Sequence, residues 1–383
     1  MKKVYILWPF MQMGGTETLI VRIYSWLVKQ NYEVIVVSKV IYDSFKSVLK
    51  KNNVKIQLSD FRYWGIQSII KDADAVIVFR LDDYFLTCDR CKTVLYNVHE
   101  LTLIRGQNIN KYIGHLVKKI YRILIKQLDI NNSLIFMDNH ILEVTEKYYK
   151  MKMCPNVIKL PMMINKEFSS KKRIDKVRNI LTIARSEFPF KGYLLGLINY
   201  FNDIGFENKN INLTIITSGE DSERLFKLKN GNPRITILKD VMYNDLNKYF
   251  DNTDFYIGVG SSLLDASNRG VPSLVVGSYT YECVSIGLFC DNINNLGYLN
   301  DDFKPISIYM DNLKRLDAEN YYKLSIKTFE LYKKNYDIDI NLPKILLQLN
   351  SVTICNKKLL ILLDRIVYNT VKLKARMNND NKI

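Results

Sequence analysis

The chain has 383 residues, more than one ordinary core accommodates, and that length fits two domains with a tail. Hydrophobic residues make up 48% of it but fall in short runs, which excludes an expected membrane span, and the brief apolar run behind Met1-Lys2-Lys3 is too short for a signal peptide. Six scattered cysteines exclude a disulfide framework, and the net charge of +16 points to polyanionic partners: nucleic acid, anionic lipid or a phosphorylated substrate.

The first strand is expected at Val4–Trp8. A helix follows at Thr16–Gln30, where Leu19, Ile20, Ile23 and Leu27 recur at helical spacing. Further strands are expected at Tyr32–Ser38, Val54–Leu58, Ala75–Phe79, Thr93–Tyr96, Leu134–Met137 and Val157–Leu160. Their alternation with helical patterns predicts a Rossmann-like domain over residues 1–165, with a parallel sheet covered by helices. Within it, Cys88 and Cys91 form a lone CxxC, which lacks the further ligands of a structural zinc site. The polar, basic stretch 166–178 is the expected linker.

A second alternation covers 179–345. Its strands are expected at Asn179–Ile183, Leu213–Thr217, Arg234–Leu238, Phe255–Ile257 and Ser273–Val276, with helices at Tyr193–Asn202, Leu246–Phe250 and Leu263–Arg269. From about Asp317 the pattern turns helical, at Tyr321–Tyr336 and Leu359–Leu373. The tail, 346–383, is expected to be helical and to pack back on the first domain. Two α/β units joined in this way leave the crevice at the carboxyl ends of both sheets as the expected ligand site.

Three segments carry candidate chemistry. Gly14-Gly15-Thr16-Glu17 opens the first helix, either as a plain strand-to-helix turn or as a close-approach backbone whose helix-start amides attract an anion. The spacing G-x-G-x-x-G is absent, which argues against a dinucleotide enzyme. Arg185 and Lys191 stand six apart in the loop Ala184–Gly192, so they either converge on one phosphate or solvate a surface loop. Gly258, Gly260, Ser261 and Ser262 follow a strand and lead into a helix, the composition of an amide cradle for phosphate. Asp265 beyond them suits a ribose diol or ordinary helix-start charge balance.

In this order, and with Gly270-Val271-Pro272 behind them, these segments resemble glycosyltransferase family 4, retaining enzymes of the GT-B fold, in its bacterial surface-polysaccharide form. The resemblance spans residues 1 to about 300. It implies an α/β fold of two facing Rossmann-like domains, with sugar moved from a nucleotide-sugar donor to a glycan or lipid-linked acceptor. It implies that Arg185 and Lys191 bind the donor diphosphate, that Asp265 holds the ribose, and that Gly14, Gly15, Gly258, Gly260, Ser261 and Ser262 line the donor. His99, in Tyr96-Asn97-Val98-His99-Glu100, stands by context where the family's histidine approaches the transferred sugar. The resemblance further implies front-face attack by the acceptor, with no metal and no cofactor. The sequence departs from the family at Ile257, where the first of two glutamates belongs, at Asp265, shorter than the second, and in the trimmed loop Gly258-Val259-Gly260.

Two D-x-D matches, Asp72-Ala73-Asp74 and Asp337-Ile338-Asp339, would suit metal-dependent transfer, but one precedes a strand and the other lies outside the expected sheets. The stretch 111–126 carries Lys111, Lys118, Lys119, Arg122 and Lys126 on an amphipathic pattern without an acid, and 357–376 repeats the theme. Both suit an anionic membrane surface, or are core-facing helices with solvated basic sides. The expected setting is cytoplasmic, peripheral on the inner face of the cell membrane. Rival readings are a basic nucleic-acid-binding protein, which no zinc-finger, zipper or RNP pattern supports, a GT-B sugar-nucleotide epimerase, and a transferase that has lost catalysis.

Overall fold

Short runs of β-branched residues become the buried strands of two sheets in a computed structural model that describes residues 2–87, 91–105, 111–164, 177–203, 211–242, 245–300 and 302–353. The chain divides into two units, one formed by residues up to Pro161 together with those from Ile338 onward, the other by Met162–Asp337.

In the first unit the elements are β1 (Lys3–Leu7), β2 (Phe10–Met11), α1 (Gly15–Lys29), β3 (Glu33–Ser38), β4 (Val40–Ile41), α2 (Asp43–Lys51), β5 (Ile56–Leu58), α3 (Tyr63–Ile69), β6 (Ala75–Val78), α4 (Leu81–Tyr84), β7 (Lys92–Asn97), α5 (Lys111–Ile130), β8 (Leu134–Phe136) and α6 (Asn139–Tyr149). Six strands form a parallel sheet in the order β5-β3-β1-β6-β7-β8, and β2 pairs with β4 apart from it. Val4, Tyr5, Ile6 and Leu7 are all buried because helices cover both faces, so the strand reads as an unbroken apolar run. From β1 the chain builds β3 and β5 to one side, then returns to the other side with β6. The order therefore reverses between β1 and β6, where the connecting loops diverge at the carboxyl edge.

The second unit contains β9 (Asn179–Ile183), α7 (Tyr193–Asp203), β10 (Asn212–Thr217), α8 (Ser222–Lys229), β11 (Ile235–Lys239), α9 (Leu246–Asp251), β12 (Phe255–Gly258), α10 (Gly260–Ser267), β13 (Ser273–Val276), β14 (Val284–Leu288), β15 (Lys304–Pro305), α11 (Ile306–Lys314) and α12 (Ala318–Tyr336). Its order is β11-β10-β9-β12-β13-β14-β15. The strands from β11 to β13 pair in parallel, and β14 and β15 add an antiparallel edge that the sequence pattern did not announce. Here the reversal lies between β9 and β12.

Two sequence expectations change. Val157–Leu160 is not a strand: it makes one isolated bridge, Val157 to Phe136, and lies between Pro155 and Pro161, which have no N–H to extend a ladder. Residues 338–345, expected in the second domain, begin α13 (Ile338–Ser351) in the first unit. That helix buries Ile338, Leu342, Ile345 and Leu349, accepts a bond from Trp26 Nε1 at Asp339 (2.6 Å), and sends Gln348 Nε2 to the carbonyl of Asn132 (2.9 Å). Most of the expected linker, and the tail beyond residue 353 with its basic stretch 357–376, lie outside the described residues.

Candidate functional site

Phe255 and Tyr256 of β12 pair with Ile180 and Leu181 of β9, so the loops leaving these two strands emerge side by side where the order of the second sheet reverses. One loop carries Arg185 and Lys191, and the other leads through Gly258 and Val259 into α10. The two are stitched together. Ser262 Oγ donates to the carbonyl of Ile183 (3.0 Å), and the Tyr256 hydroxyl accepts from the amide of Ile183 (3.2 Å). No side chain caps the start of α10, and Gly260, its first residue, has φ +67 with open space where a Cβ would stand. The turn therefore favours glycine for its backbone conformation; the Gly260 amide donates to the Leu296 carbonyl (2.9 Å), and the amides that follow it are suited to an anion.

Arg185 and Lys191 belong to one electrostatic cluster, and the third member is Glu187. Arg185 Nη1 lies 3.1 Å from Glu187 Oε1, both side chains being well exposed. The Lys191 ammonium stands 4.2 Å from the centroid of the Phe190 ring. Burial pushes it down to about 7, with the Arg185 charge adding to the shift and Glu187 opposing it. The loop is held from both sides: Ser186 N donates to the Ser218 carbonyl after β10 (2.8 Å), Tyr279 N after β13 donates to Phe190 O (3.0 Å), and the Phe190 and Tyr279 rings lie 4.9 Å apart. Glu187 was visible between the two cations, but its spacing alone does not say which of them it would hold.

Asp265 lies half-buried on α10, one turn beyond Ser261, and its carbonyl accepts from Arg269 Nη1 (2.6 Å). Ile257 is fully buried in the apolar core with Leu274 and Ile180, so the position of the family's first glutamate presents no polar group.

In the first unit, Gly14 is the extended N-cap of α1 (φ −173, ψ 170) and Gly15 its first residue, at the carboxyl end of β1. Glu17 behind them is buried and accepts from Trp8 Nε1 (3.1 Å), which fixes the turn. His99 follows β7. Its Nδ1 accepts from the Leu101 amide (3.1 Å), which selects the neutral tautomer protonated at Nε2. Next to it, Glu100 pairs with His140 Nε2 (3.2 Å), and that bond holds its carboxyl below the usual range.

The D-x-D carboxylates already have structural partners. Asp72 accepts from Lys3 Nζ (2.6 Å) and the Tyr5 hydroxyl (2.9 Å), Asp74 from the Lys3 amide (2.7 Å), and Asp339 from Trp26. Among the described residues no group of three or more His, Cys, Asp or Glu is placed to hold a metal ion, and no helix is long and apolar enough to cross a membrane.

No protein-family model matches the chain, and no curated protein matches its sequence. Solved structures do share its fold. A glycosyltransferase from Rickettsia africae aligns over 92% of this chain and 98% of its own, with 14% identity and a TM-score of 0.63. TarM of S. aureus, in a mutant form complexed with fondaparinux, alpha-GlcNAc-glycerol and UDP, aligns over 91% of this chain and 100% of its own, with 12% identity and a TM-score of 0.66. The lipopolysaccharide outer core galactosyltransferase WaaB aligns over 92% and 99%, with 14% identity and a TM-score of 0.55. The fold is thus α/β with two Rossmann-like units, the architecture of the GT-B glycosyltransferases.

Proposed function

We propose that the chain is a glycosyltransferase that moves a sugar from a nucleotide-sugar donor to a glycan acceptor. The reading is supported by the charge coupling of Arg185 and Lys191 on the loop that leaves β9, beside the strand β12 that leads into α10, at the reversal point of the second sheet. A departing nucleoside diphosphate gathers negative charge in the transition state, and donors fixed in advance stabilise it without reorganising. Arg185 offers a planar fork, Lys191 a point charge, and α10 the amides that follow Gly260. A diphosphate would displace Glu187 from Arg185 and draw a proton onto Lys191.

The finer reading is a retaining enzyme of the family 4 type, independent of metal, in which the donor phosphate takes the proton of the attacking hydroxyl. His99, at the carboxyl end of β7 and with Nδ1 accepting from the Leu101 amide, is assigned the contact to the transferred sugar. UDP in the TarM complex makes a uridine donor the first to test. A lipid-linked acceptor in surface-polysaccharide assembly, reached from the inner face of the membrane, is supported by α5. Leu116, Ile123 and Ile130 recur every seven residues along it and are 52%, 54% and 58% exposed, with exposed Lys119, Arg122 and Lys126 beside them. An exposed apolar line among cations matches the boundary of an anionic bilayer.

A thermal-shift screen with UDP-, GDP- and ADP-sugars tests the donor site, since a bound ligand raises apparent stability by mass action. One sugar nucleotide is expected to stabilise the protein and to lose that effect in Arg185→Ala and Lys191→Ala. Stabilisation by none of them, or undiminished stabilisation in both variants, rules the donor site out. Sedimentation with anionic vesicles, lost on Leu116, Ile123 and Ile130→Ser, tests the membrane claim separately.

A further inference from the structure

A second cationic cluster stands at the carboxyl edge of the first sheet, and none of the residues considered so far belongs to it. The last register pair of β6 and β7 is Val78 with Leu95, and Arg80 and Asn97 each follow two residues later. Arg105 arrives from the segment behind β7, where its backbone is clamped: its amide donates to the Tyr149 hydroxyl (3.3 Å) and its carbonyl accepts from the Tyr148 hydroxyl (2.7 Å). The two arginines share one carboxylate. Arg80 Nη2 lies 3.2 Å from Asp82 Oδ2, and Arg105 Nη2 lies 3.0 Å from Asp82 Oδ1.

The cluster is under-neutralised. Among the described residues, Asp83, whose side chain is 3% exposed, is a second acid against the cluster, with Oδ2 3.9 Å from Arg80 Nε and in no hydrogen bond. Burial pushes its carboxyl up to about 7, and the Arg80 charge opposes this only in part. Among the described residues the two guanidinium groups are therefore hydrogen-bonded to the single carboxylate of Asp82. Among the described residues a buried donor of the cluster, Arg105 Nε, also lacks an acceptor. Asp82 thus bridges two guanidinium groups in the way a tetrahedral anion would, and with fewer oxygens than their donors accommodate.

We infer that Arg80 and Arg105 form an anion site in the first unit and that its ligand is a phosphate group of the acceptor. Phosphate is favoured over carboxylate because Asp82 already supplies a carboxylate: an entering group displaces it only with more charge and more acceptor oxygens. The acceptor is favoured over the donor by position. Arg80 and Arg105 belong to the first unit, whereas the donor's diphosphate is assigned to Arg185 and Lys191 in the second. Calling the ligand an acceptor rests on the transferase reading above, whereas the anion site itself does not. The phosphate belongs either to an isoprenyl diphosphate or to a soluble polyol phosphate.

The test uses the full chain carrying Arg185→Ala and Lys191→Ala, so that the donor site does not report. Titration calorimetry with inorganic phosphate, glycerol 3-phosphate and farnesyl diphosphate, with farnesol as control, measures what remains. Binding of a phosphate probe is expected, weakened by about tenfold or more when Arg80→Gln and Arg105→Gln are added. Asp82→Asn, which removes the competing carboxylate and keeps the side-chain shape, is expected to bind the same probe several-fold tighter, a gain that a purely structural ion pair would not produce. Preference for farnesyl diphosphate supports a lipid-linked source, and preference for glycerol 3-phosphate supports a soluble one. Equal binding with and without the arginines, or no phosphate binding even by the Asp82→Asn chain, overturns the inference. UDP binding by the chain with Arg185 and Lys191 intact is measured in parallel. Its failure alone would overturn the transferase reading and leave the anion site standing.

Discussion

Lys191 would make the proposed donor site sensitive to pH in a direction that follows from its surroundings. Burial holds its ammonium at about 7 instead of the usual 10.5, so above neutrality the free protein carries it largely uncharged. A diphosphate beside it favours the charged form, and binding then requires proton uptake. Affinity for UDP should fall by up to about tenfold for each pH unit above about 7, roughly 1.4 kcal/mol per unit. Calorimetry in two buffers of different ionisation enthalpy should show close to one proton taken up at about pH 8.5, where free Lys191 is almost wholly neutral. The nucleotide's own terminal phosphate titrates lower, so the slope above neutrality belongs to the protein. Lys191→Arg keeps its charge throughout and should flatten the slope. An affinity unchanged between about pH 7 and 9, or an equally steep slope in the arginine variant, refutes the reasoning. The same shift acts on folding. The unfolded chain holds the proton that the native chain has lost, so between about 7 and 10.5 this residue makes stability rise with pH.

Three further outcomes are expected. Glu187→Gln frees Arg185 from an exposed ion pair worth ~0.2–1 kcal/mol, so UDP should bind up to about fivefold tighter by calorimetry. Gly196→Ala on α7 would drive a Cβ into the backbone of Tyr281, Glu282 and Cys283, and urea titration should show a loss of about 1–3 kcal/mol. Asp83→Asn removes a buried acid whose carboxyl is raised from 3.8 to about 7. The native wild type holds that proton more tightly than the unfolded chain, so its stability falls as pH rises through this window. The asparagine variant should lack the fall and so gain on the wild type toward neutral pH in thermal unfolding.

Much of the fold was legible because a parallel sheet buried on both faces leaves a plain mark. Asn179–Ile183 and Ser273–Val276 were bounded correctly from sequence, and α1 differed from its expected span by one residue at each end. The antiparallel edge was not legible. β14 alternates half-buried and buried positions through Val284, Ser285, Ile286, Gly287 and Leu288, and β15 has two exposed residues, so neither forms an apolar run. Val157–Leu160 shows the converse: its composition is that of a strand, but the flanking prolines give it no ladder to join. Of the candidate donor residues, Arg185, Lys191 and Gly260 stood out in the sequence because each follows a recognisable strand. Glu187 was passed over because a carboxylate between two cations reads equally as loop solvation.

By itself the sequence determined the two alternating α/β units and the strand-end loops at Gly14, Arg185 and Gly258, since hydrophobic period and glycine placement are properties of the chain read locally. Only the tertiary structure decided which loops become neighbours. It set β12 beside β9, returned the chain at Ile338 to the first unit, and joined Arg105 to Asp82 across 23 positions. Strand order is chosen by the packing of whole layers, and no local pattern records it.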